Sequence, residues 1–328
     1  MNKLSNDIEK LITIIIPSRE FDSNLKFCLK KIRFFYKNIK ILIVLDSLKK
    51  KILVKDKNIN LIISKTTIGA KRNIASKKVK TKFICFIDSD AYPNTAWLDR
   101  VKENLFARNF TILGGPNLSP PSKNFEKILI SRVRKLPFVT INPKVKTKTN
   151  LKEINFLPSS NLVVNSNIYK KLGGMYEYLY SGEEIKLNYY IQKKNYRILF
   201  DAKMHIMHKE RKLHSFMRQR FVYGSTALRL FIKFPCKASF KLLLSSVPIL
   251  WLIFFPVIFV NNFFLITYLF ISISVFILVF YYTYKIYLKN NFLKTVKVIL
   301  ISIFVPGIGM LASFFFKDNT IQKLYTQK

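Results

Sequence analysis

The C-terminal third of the chain contains long stretches without a charged residue. Residues 242–260 (LLLSSVPILWLIFFPVIFV) and 263–284 (FFLITYLFISISVFILVFYYTY) are each close to the ~20 residues that a helix needs to cross a bilayer. The pair Asn261-Asn262 separates them as a turn would, so we predict a hairpin of two transmembrane helices. A third apolar run, 298–316, contains a Pro-Gly pair and a second glycine. It could span with a kink, or enter and leave on the same side.

Basic residues between the second and third apolar runs predict the orientation of this hairpin in the membrane. Four lysines lie there: Lys285, Lys289, Lys294 and Lys297. Loops rich in positive charge stay in the cytoplasm, and a hairpin returns the chain to its starting side, so residues 1–239 are expected to be cytoplasmic as well. The sequence therefore predicts a multi-pass protein of the cell membrane with an anchoring region at 231–328. Buried core helices of a soluble protein are the alternative interpretation.

The chain as a whole is strongly basic. It has 56 Lys+Arg against 18 Asp+Glu, a formal net charge of +38. A field of this sign favours anionic partners such as acidic lipid headgroups, phosphorylated substrates or nucleic acid, although Lys-rich usage also results from biased genome composition. Cys28, Cys85 and Cys236 are far apart and form neither a metal-type spacing nor a disulfide framework. We therefore expect reduced thiols.

Short apolar runs rich in β-branched residues recur before the membrane region. They occupy residues 12–17, 41–46, 60–64 and 83–88. The first run ends at Pro17 without a small-residue cleavage site, so we expect a buried strand rather than a signal peptide. Helical spacing of apolar residues separates the first two runs, over 23–38, and the last two, over 70–79. This alternation predicts an α/β domain over residues 1–230, with a mostly parallel sheet covered on both faces.

Three aspartates lie where predicted strands end. Asp46 and Asp88 are each the last residue of a strand, and Asp90 follows two residues later. Because such sheets bind ligands outside the carboxyl ends of their strands, we expect the three carboxylates at one edge of the sheet. Two carboxylates at i and i+2 suit a hard divalent cation, and Mg²⁺ is usually held by one or two carboxylates together with substrate phosphates. Alone, Asp88-Ser89-Asp90 is a weak signal, because Asp and Ser also form solvated turns.

The order of several motifs along the chain is more specific than any one of them. Over about residues 11–230, that order resembles the family-2 inverting glycosyltransferases with the GT-A fold. The segments concerned are 14-IIIPSRE-20, Asp46, 69-GAKRN-73, Asp88-Ser89-Asp90, 113-LGGPN-117, 160-SNLVVNSNIYKKLGGMYE-177, 182-GEEIKL-187 and 208-HKERKLHSFMRQRFVYG-224. The resemblance implies a Rossmann-like nucleotide-diphospho-sugar transferase domain, followed by an α-helical membrane segment.

The same resemblance implies a reaction and its participants. A sugar would move from a nucleotide-sugar donor to a lipid-linked or cell-surface glycan acceptor, in a catalytic domain on the cytoplasmic side. Donor-binding roles fall on Pro17, Arg19, Glu20, Asp46, Arg72, Asp88, Ser89 and Asp90, and acceptor-binding roles on Asn161, Gly174 and Arg220. Asp90, with Asp88 and His208, would hold Mn²⁺ or Mg²⁺, which acts as a Lewis acid on the diphosphate. Membrane lipids are a further expected partner and nucleic acid is not.

Inversion needs a general base that takes the proton of the acceptor hydroxyl. The resemblance places this base at the second acidic residue after Gly182, where the family usually has Asp and this chain has Glu184, one methylene longer. We predict Glu184 as the base, with Glu183 contacting the acceptor or the surrounding structure. Both residues would also suit the N-terminus of a helix for electrostatic reasons alone.

Two of the three histidines, His205 and His208, lie in one segment and are candidates for the metal site. The stretch 197-RILFDAKMHIMH-208 is typical of a strand, on which residues three apart point to opposite faces. His205 and His208 therefore cannot easily serve one site. The resemblance assigns the metal role to His208, and a hydrogen-bonded structural histidine is the alternative.

Three other functions remain open at this level. A processive polysaccharide synthase of the same superfamily usually carries Gln-x-x-Arg-Trp, whereas this chain has 219-QRFVYG-224. A phosphatase of the haloacid dehalogenase type also has D-x-D after a strand, but with Thr or Val two residues after the second Asp, where this chain has Tyr92. A non-enzymatic basic membrane protein that binds anionic lipid would not need carboxylates at strand ends.

Overall fold

The chain folds into two compact units, each built from two stretches of sequence. One unit comprises residues 1–120 and 142–209, and the other comprises residues 121–141 and 210–328. We call them the sheet unit and the helical unit. The predicted boundary at residue 230 lies within the helical unit. The computed structural model describes residues 8–47, 55–107, 110–140, 151–287, 291–316 and 321.

Strands and helices are numbered along the chain. The strands are β1 (Ile12–Pro17), β2 (Lys40–Leu45), β3 (Ile59–Ile63), β4 (Phe83–Ile87), β5 (Ala91–Pro93), β6 (Ile112–Gly114), β7 (Asn117–Leu118), β8 (Leu151–Glu153), β9 (Asn161–Asn165), β10 (Ile198–Asp201) and β11 (Ile206–His208). The helices are α1 (Ser23–Phe35), α2 (Ile68–Lys77), α3 (Trp97–Ala107), α4 (Phe125–Val133), α5 (Ser166–Lys171), α6 (Glu184–Lys193), α7 (Leu213–Lys233), α8 (Lys237–Leu244), α9 (Pro248–Ile253), α10 (Asn262–Ile286) and α11 (Phe292–Phe315).

The sheet unit is a mixed α/β fold. Its large sheet has the strand order β3-β2-β1-β4-β9-β6-β10-β8. The first four of these strands are mutually parallel, β9 is antiparallel to both of its neighbours, and β8 is antiparallel to β10. A small second sheet has the order β5-β11-β7. The predicted α/β class is confirmed, and each of the four predicted strands begins and ends within one residue of its observed bounds.

Both faces of the large sheet are buried at its central strands. Every residue of β1 is buried, as expected for a central strand in a parallel sheet. Ile14 and Ile16 pack with the apolar faces of α1 and α3, whereas Ile15 packs with those of α2 and α6. Side chains at helix starts fix the crossovers: Asp22 accepts a hydrogen bond from the backbone N–H of Leu25 at 2.9 Å as the N-cap of α1. These helices and strands place the loops after β1, β2 and β4 at one edge.

The helical unit has its own core, in which α4 meets the C-terminal helices. The buried apolar residues of this core are Leu129, Ile130, Val133, Leu136, Val139, Phe216, Val279, Val298, Ile299 and Ile303. Helices α7 and α11 pack closely at Gly224. A Cβ atom built on Gly224 of α7 would lie 1.7 Å from the carbonyl oxygen of Pro306 in α11. Glycine is therefore required at this crossing.

Among the residues that the structure describes, two helices are long and apolar enough to cross a membrane, and they are not the predicted pair. They are α10 and α11, whose most apolar 18-residue stretches have mean hydropathies of 2.7 and 2.3. The predicted hairpin over 242–284 is wrong in its first half: residues 242–260 form the end of α8, then α9, then a 3₁₀ helix over Phe255–Phe259. Prolines stand at the starts of α9 and the 3₁₀ helix, where the missing N–H ends one helix and begins the next.

The third apolar run, residues 298–316, is not divided into short helices, although it contains a Pro-Gly pair. It forms one continuous helix, α11, with Pro306 inside it. The predicted cytoplasmic orientation used a hairpin of the first two runs, so its premise does not hold for α10 and α11. Of the four lysines in that argument, Lys289 lies outside the described residues.

Candidate active site

The nucleotide end of the site is formed by the loops after β1 and β2. Lys71 Nζ lies 2.6 Å from Asp46 Oδ1, and Lys71 also donates a hydrogen bond to the carbonyl oxygen of Ser18. Arg19 is exposed, and its carbonyl oxygen accepts from the Asp46 N–H at 2.9 Å. Burial lowers the pKa of Lys71, and the Asp46 carboxylate opposes that shift. The loop after β1 is thus held against Asp46 through Arg19, and through Lys71 by way of Ser18.

Asp88, Asp90 and His208 form a cluster of potential metal ligands at the end of β4. We call this cluster the metal-type group. The Nε2 atom of His208 is 3.5 Å from Asp88 Oδ2 and 3.5 Å from Asp90 Oδ1. One ligand atom of each residue lies within 4.8 Å of the other two. Backbone pairing explains the approach, because His208 in β11 is the partner of Ala91 in β5. Two carboxylate oxygens and one imidazole nitrogen fit Mn²⁺ or Mg²⁺.

A single buried guanidinium connects this metal-type group to Glu183, the residue before α6. Arg72 is 1% exposed, with Nη2 2.7 Å from Asp88 Oδ1 and Nη1 paired with Glu183 Oε1. The hydroxyl of Ser159 donates to the same Glu183 oxygen at 3.2 Å. Burial acts to lower the pKa of Arg72, but the charges of Glu183 and Asp88 outweigh it and raise that pKa overall. Arg72 therefore stays charged and fixes the spacing between the two carboxylates.

Glu184 is the first residue of α6 and has the electrostatics of a base. Desolvation raises the pKa of Glu184 to about 8, and the adjacent negative charge of Glu183 adds to the rise. Arg72 opposes the shift without cancelling it. A carboxylate with a pKa near the working pH can take a proton and release it again, which is the property general-base catalysis needs.

The segment before α6 is tied to α2 through one amide. Asn73 Nδ2 donates to the Met175 carbonyl at 2.9 Å and to Glu177 Oε1 at 2.7 Å, while Asn73 Oδ1 accepts from the Met175 N–H at 2.9 Å. Gly174 has φ +62, and a Cβ there would lie 2.2 Å from Asn73 Oδ1. Only glycine fits this close, left-handed turn.

Other predicted site residues lie in different surroundings. Asn161 is fully buried in β9, where its amide accepts from Trp97 Nε1 at 2.9 Å and donates to the Met204 carbonyl at 2.8 Å. Ser89 is partly buried between the two metal-type aspartates. Arg220 belongs to the helical unit.

The prediction of one strand over 197–208 is wrong. Residues 198–201 and 206–208 are separate strands, β10 and β11. His205 precedes the second of them and lies 3.3 Å from Asn94 Nδ2 through its Nδ1 atom. His208 reaches the aspartates through the pairing of β11 with β5.

Sequence reasoning overlooked two residues of this site, Lys71 and Asn73, although both belong to the segment 69-GAKRN-73. Lys71, Arg72 and Asn73 are consecutive polar residues, and all three are buried. A signal was present, because three adjacent polar residues at the start of a helix that covers a sheet need buried partners.

The fold and the grouped residues define a class of protein. A mixed sheet with acidic strand ends and a metal-type group beside them fits the GT-A fold of nucleotide-sugar transferases. Residues 13–173 match the model described as glycosyl transferase family 2. This match covers 161 of the 328 residues, and it favours the glycosyltransferase interpretation over the phosphatase and the non-enzymatic one.

Individual proteins of known structure or curated function are similar to this chain. The pre-mycofactocin glycosyltransferase of Mycobacterium tuberculosis is 21% identical over 194 residues, which cover 56% of this chain and 39% of that protein. The chain thus spans about two fifths of the length of the curated relatives it matches. The mannosyltransferase PcManGT from Pyrobaculum calidifontis, solved in complex with GDP-Man and Mn²⁺, is similar with a TM-score of 0.57 and 12% identity, covering 92% of this chain and 87% of that one. At this identity the likeness shows a shared fold.

Proposed function

We propose that this protein is a membrane-anchored, inverting glycosyltransferase that moves a sugar from a nucleoside-diphosphate donor to a lipid-linked or cell-surface glycan acceptor. One observation carries the proposal. Arg72 pairs on one side with Asp88 of the metal-type group and on the other with Glu183, the neighbour of the high-pKa Glu184. One guanidinium thereby joins Asp88 of the metal-type group to Glu183, the residue that precedes the proposed base.

The donor would lie along the edge formed by the loops after β1, β2 and β4. Asp46, held by Lys71, suits polar groups of the nucleoside, and Arg19 is exposed beside them. Asp88, Asp90 and His208 would hold Mn²⁺ or Mg²⁺, which when bound supplies Lewis-acid stabilisation of the diphosphate. The GDP-Man and Mn²⁺ bound by the structurally similar mannosyltransferase support this class of donor and cofactor.

Glu184 would act on the acceptor. Its carboxylate takes the proton of an acceptor hydroxyl, the hydroxyl oxygen forms a bond to the anomeric carbon, and the bond from that carbon to the diphosphate oxygen breaks. Attack on the face opposite the leaving group inverts the anomeric configuration. Glu183 keeps Arg72 in place and is therefore a positioning residue.

The helical unit would anchor the enzyme in a membrane where such an acceptor resides. Within the most apolar stretch of α10, 6% of residues are buried, against 44% for α11. A long apolar helix with so little protein around it is stable only in lipid or against a partner. We place the catalytic unit on the cytoplasmic side, which agrees with the free, buried thiols of Cys28 and Cys85.

A donor screen tests the proposal directly. Purified full-length protein in detergent is incubated with a set of UDP- and GDP-sugars and Mn²⁺ or Mg²⁺, and released nucleotide is measured with and without EDTA. We expect metal-dependent release for one donor, its loss in Glu184→Gln, and its retention in Glu153→Gln, which removes an exposed carboxylate of β8. The anomeric coupling constant of the product then reports inversion. Retention of configuration, or release that survives EDTA, contradicts the mechanism.

A further inference from the structure

Helix α8 has one exposed face that is both basic and apolar. Its exposed residues are Lys237, Phe240, Lys241 and Leu244, whose spacing of three and four residues places them on one side of the helix. Phe240 and Leu244 are 47% and 48% exposed. The opposite side, which includes Leu242, is buried. Two ammonium groups and two large apolar side chains thus share one accessible face.

Hydrogen bonds at the corner between α7 and α8 hold that face in place. Ser239 Oγ accepts from the Cys236 N–H at 3.0 Å and donates to the carbonyl oxygen of Phe234 at 2.7 Å. The Phe240 ring lies 5.9 Å from the Phe231 ring of α7. Because Ser239 is fully buried, α8 cannot rotate its exposed apolar residues inward without breaking both hydrogen bonds. The exposed face is therefore a fixed feature of the helical unit.

The sequence around α8 contains no acidic residue over a long distance. No Asp or Glu occurs between Glu210 and Asp318, whereas that segment includes several Lys and Arg. Lys237 and Lys241 therefore have no carboxylate on α7, α8 or α9 that could neutralise them through the ion pairs that neighbouring helical residues form. A surface of this kind attracts an anionic partner.

A cavity of about 470 Å³ begins where this face ends. Its walls are almost entirely apolar, and they include Leu244 at the end of α8 as well as Val247, Trp251 and Ile271. Leu244 and Val247 are 48% and 41% exposed, so the cavity is open at this end. Lys241 lies three residues before Leu244, and residues at this spacing are neighbours on a helix surface. The basic face and the cavity therefore meet at Leu244.

We propose that α8 and this cavity bind one acidic phospholipid of the membrane, with phosphate oxygens at the ammonium groups of Lys237 and Lys241 and an acyl chain that passes Leu244 into the cavity. Apolar walls and a volume within the ~300–1,000 Å³ of small-molecule pockets suit a hydrocarbon chain. Two ammonium groups favour a headgroup of net negative charge. A peptide fits less well, because it would bring unpaired backbone groups into an apolar cavity. The inference rests on the membrane anchoring in the proposed function, and neither the transfer reaction nor the acceptor enters it.

Quenching of indole fluorescence by brominated lipids measures this binding. Trp251 lines the cavity, and Trp97, the other of the 2 tryptophans, is fully buried in the sheet unit. Full-length protein is reconstituted in phosphatidylcholine vesicles that contain a small fraction of lipid with bromine on its acyl chains, either phosphatidylglycerol or phosphatidylcholine. We expect phosphatidylglycerol to reach half-maximal quenching at a roughly tenfold lower fraction of the lipid, because two lysines attract its headgroup. Equal quenching by the two lipids overturns the proposal.

A competition experiment separates a membrane phospholipid from a prenyl phosphate, which has the same kind of headgroup. Phosphatidylglycerol without bromine should restore the fluorescence of the quenched protein. Farnesyl phosphate at the same concentration should restore less of it, because its branched chain is wider than a straight acyl chain. If farnesyl phosphate is the better competitor, the site takes a prenyl-linked ligand and the assignment to a membrane phospholipid is wrong.

Variants of α8 test the headgroup contacts. Lys237→Gln/Lys241→Gln should reduce the preference for phosphatidylglycerol to about twofold or less. The control Lys77→Gln/Lys80→Gln removes the same charge from exposed positions of the sheet unit and should keep the wild-type preference. Equal preference in the two double variants rejects α8 as the headgroup site. The single variants Lys237→Gln and Lys241→Gln serve if the double variant does not fold, and wild-type preference in both also overturns the proposal.

The cavity has its own pair of variants. Ile271→Phe fills part of the cavity and should weaken quenching by brominated phosphatidylglycerol about threefold or more, whereas Ile273→Phe, on an exposed face of the same helix, should not. Quenching that is equal in the two variants rejects the cavity as the chain site. A thermal shift of the wild-type protein with GDP or UDP plus Mn²⁺ is measured in parallel. Absence of that shift alone argues against the proposed transfer reaction and leaves the lipid site standing.

Discussion

Replacing Glu184 with Gln should remove activity and increase stability at alkaline pH. The pKa of this carboxyl rises from 4.5 to about 8 in the folded protein. Below pH 4.5 it is protonated in both the folded and the unfolded chain, so it does not alter stability. Between pH 4.5 and 8 the unfolded chain loses the proton and the folded one keeps it, so the free energy of unfolding falls as pH rises and levels off above 8.

The magnitude follows from the same shift. At ~1.4 kcal/mol per pH unit, complete desolvation of the carboxylate corresponds to ~5 kcal/mol above pH 8. Glu184 keeps partial contact with solvent, so we expect Glu184→Gln to be ~1–3 kcal/mol more stable than wild type at pH 9. The two proteins should be equal at pH 4.5. Donor hydrolysis should fall by roughly 10²–10⁴-fold, because the base is absent.

Thermal unfolding across pH measures the first effect, without metal or donor. Each kcal/mol should raise the midpoint by ~2–4 °C for a domain of this size. Glu153→Gln is the control, since that carboxylate is exposed and its removal should give the same difference at all pH values. A glutamine variant that is less stable than wild type at pH 9 would refute the reasoning, because it would mean that the Glu184 carboxylate is stabilised by its surroundings. If Glu183→Gln is the inactive variant and Glu184→Gln is active, the base is misassigned by one residue.

Three further changes have definite expected outcomes. Asp90→Ala should abolish metal-dependent donor hydrolysis and Mn²⁺ binding by calorimetry, while Asp99→Ala, an exposed aspartate of α3, should preserve both. Arg72→Met should lower the free energy of unfolding by ~3–5 kcal/mol in denaturant titrations, because it leaves Glu183 buried without its cation; equal stability would show that the pair contributes nothing. Gly224→Ala should destabilise by ~1–3 kcal/mol in thermal unfolding, since its Cβ would overlap the Pro306 carbonyl, whereas helix propensity alone predicts a gain of ~1 kcal/mol.

The edge of the sheet was predictable because parallel strands leave little freedom. Once residues 41–46 and 83–88 are identified as strands of one parallel sheet, Asp46 and Asp88 must reach the same edge. Their strands flank β1, and the observed contacts of Lys71 and Arg72 follow from that placement. The antiparallel strand β9 between β4 and β6 was not predictable in this way, because nothing local in 161-NLVVN-165 specifies a partner.

The partners of Arg72 lay outside the reach of sequence patterns. Glu183 is 111 residues away in the chain, and a pairing of that separation depends on the tertiary fold. The motif order suggested that both residues belong to the site, but not that one guanidinium joins them. The position of Lys71 and Asn73 in the sequence signals that they need buried partners, but the identity of those partners depends on the tertiary fold in the same way.

In the membrane region, hydropathy alone did not predict which apolar runs form one long helix. Counting apolar residues treats 242–260 and 298–316 alike, yet only the second forms one long helix. Pro248 and Pro256 stand where helices begin, so each one starts a new segment. Pro306 lies within a helix that packs closely on α7, and these contacts offset the hydrogen bond that a proline removes.

The composition of the helical unit has a consequence for synthesis of the protein on the ribosome. Val133 of α4 and Val298 of α11 share one core but are separated by 165 residues of sequence. At ~5–20 residues per second, α4 waits roughly 10–30 s before its last core partner is made. During that time the nascent chain exposes Leu129, Ile130 and Val133, so we expect folding of this unit to be post-translational and to depend on chaperones or on early capture at the membrane.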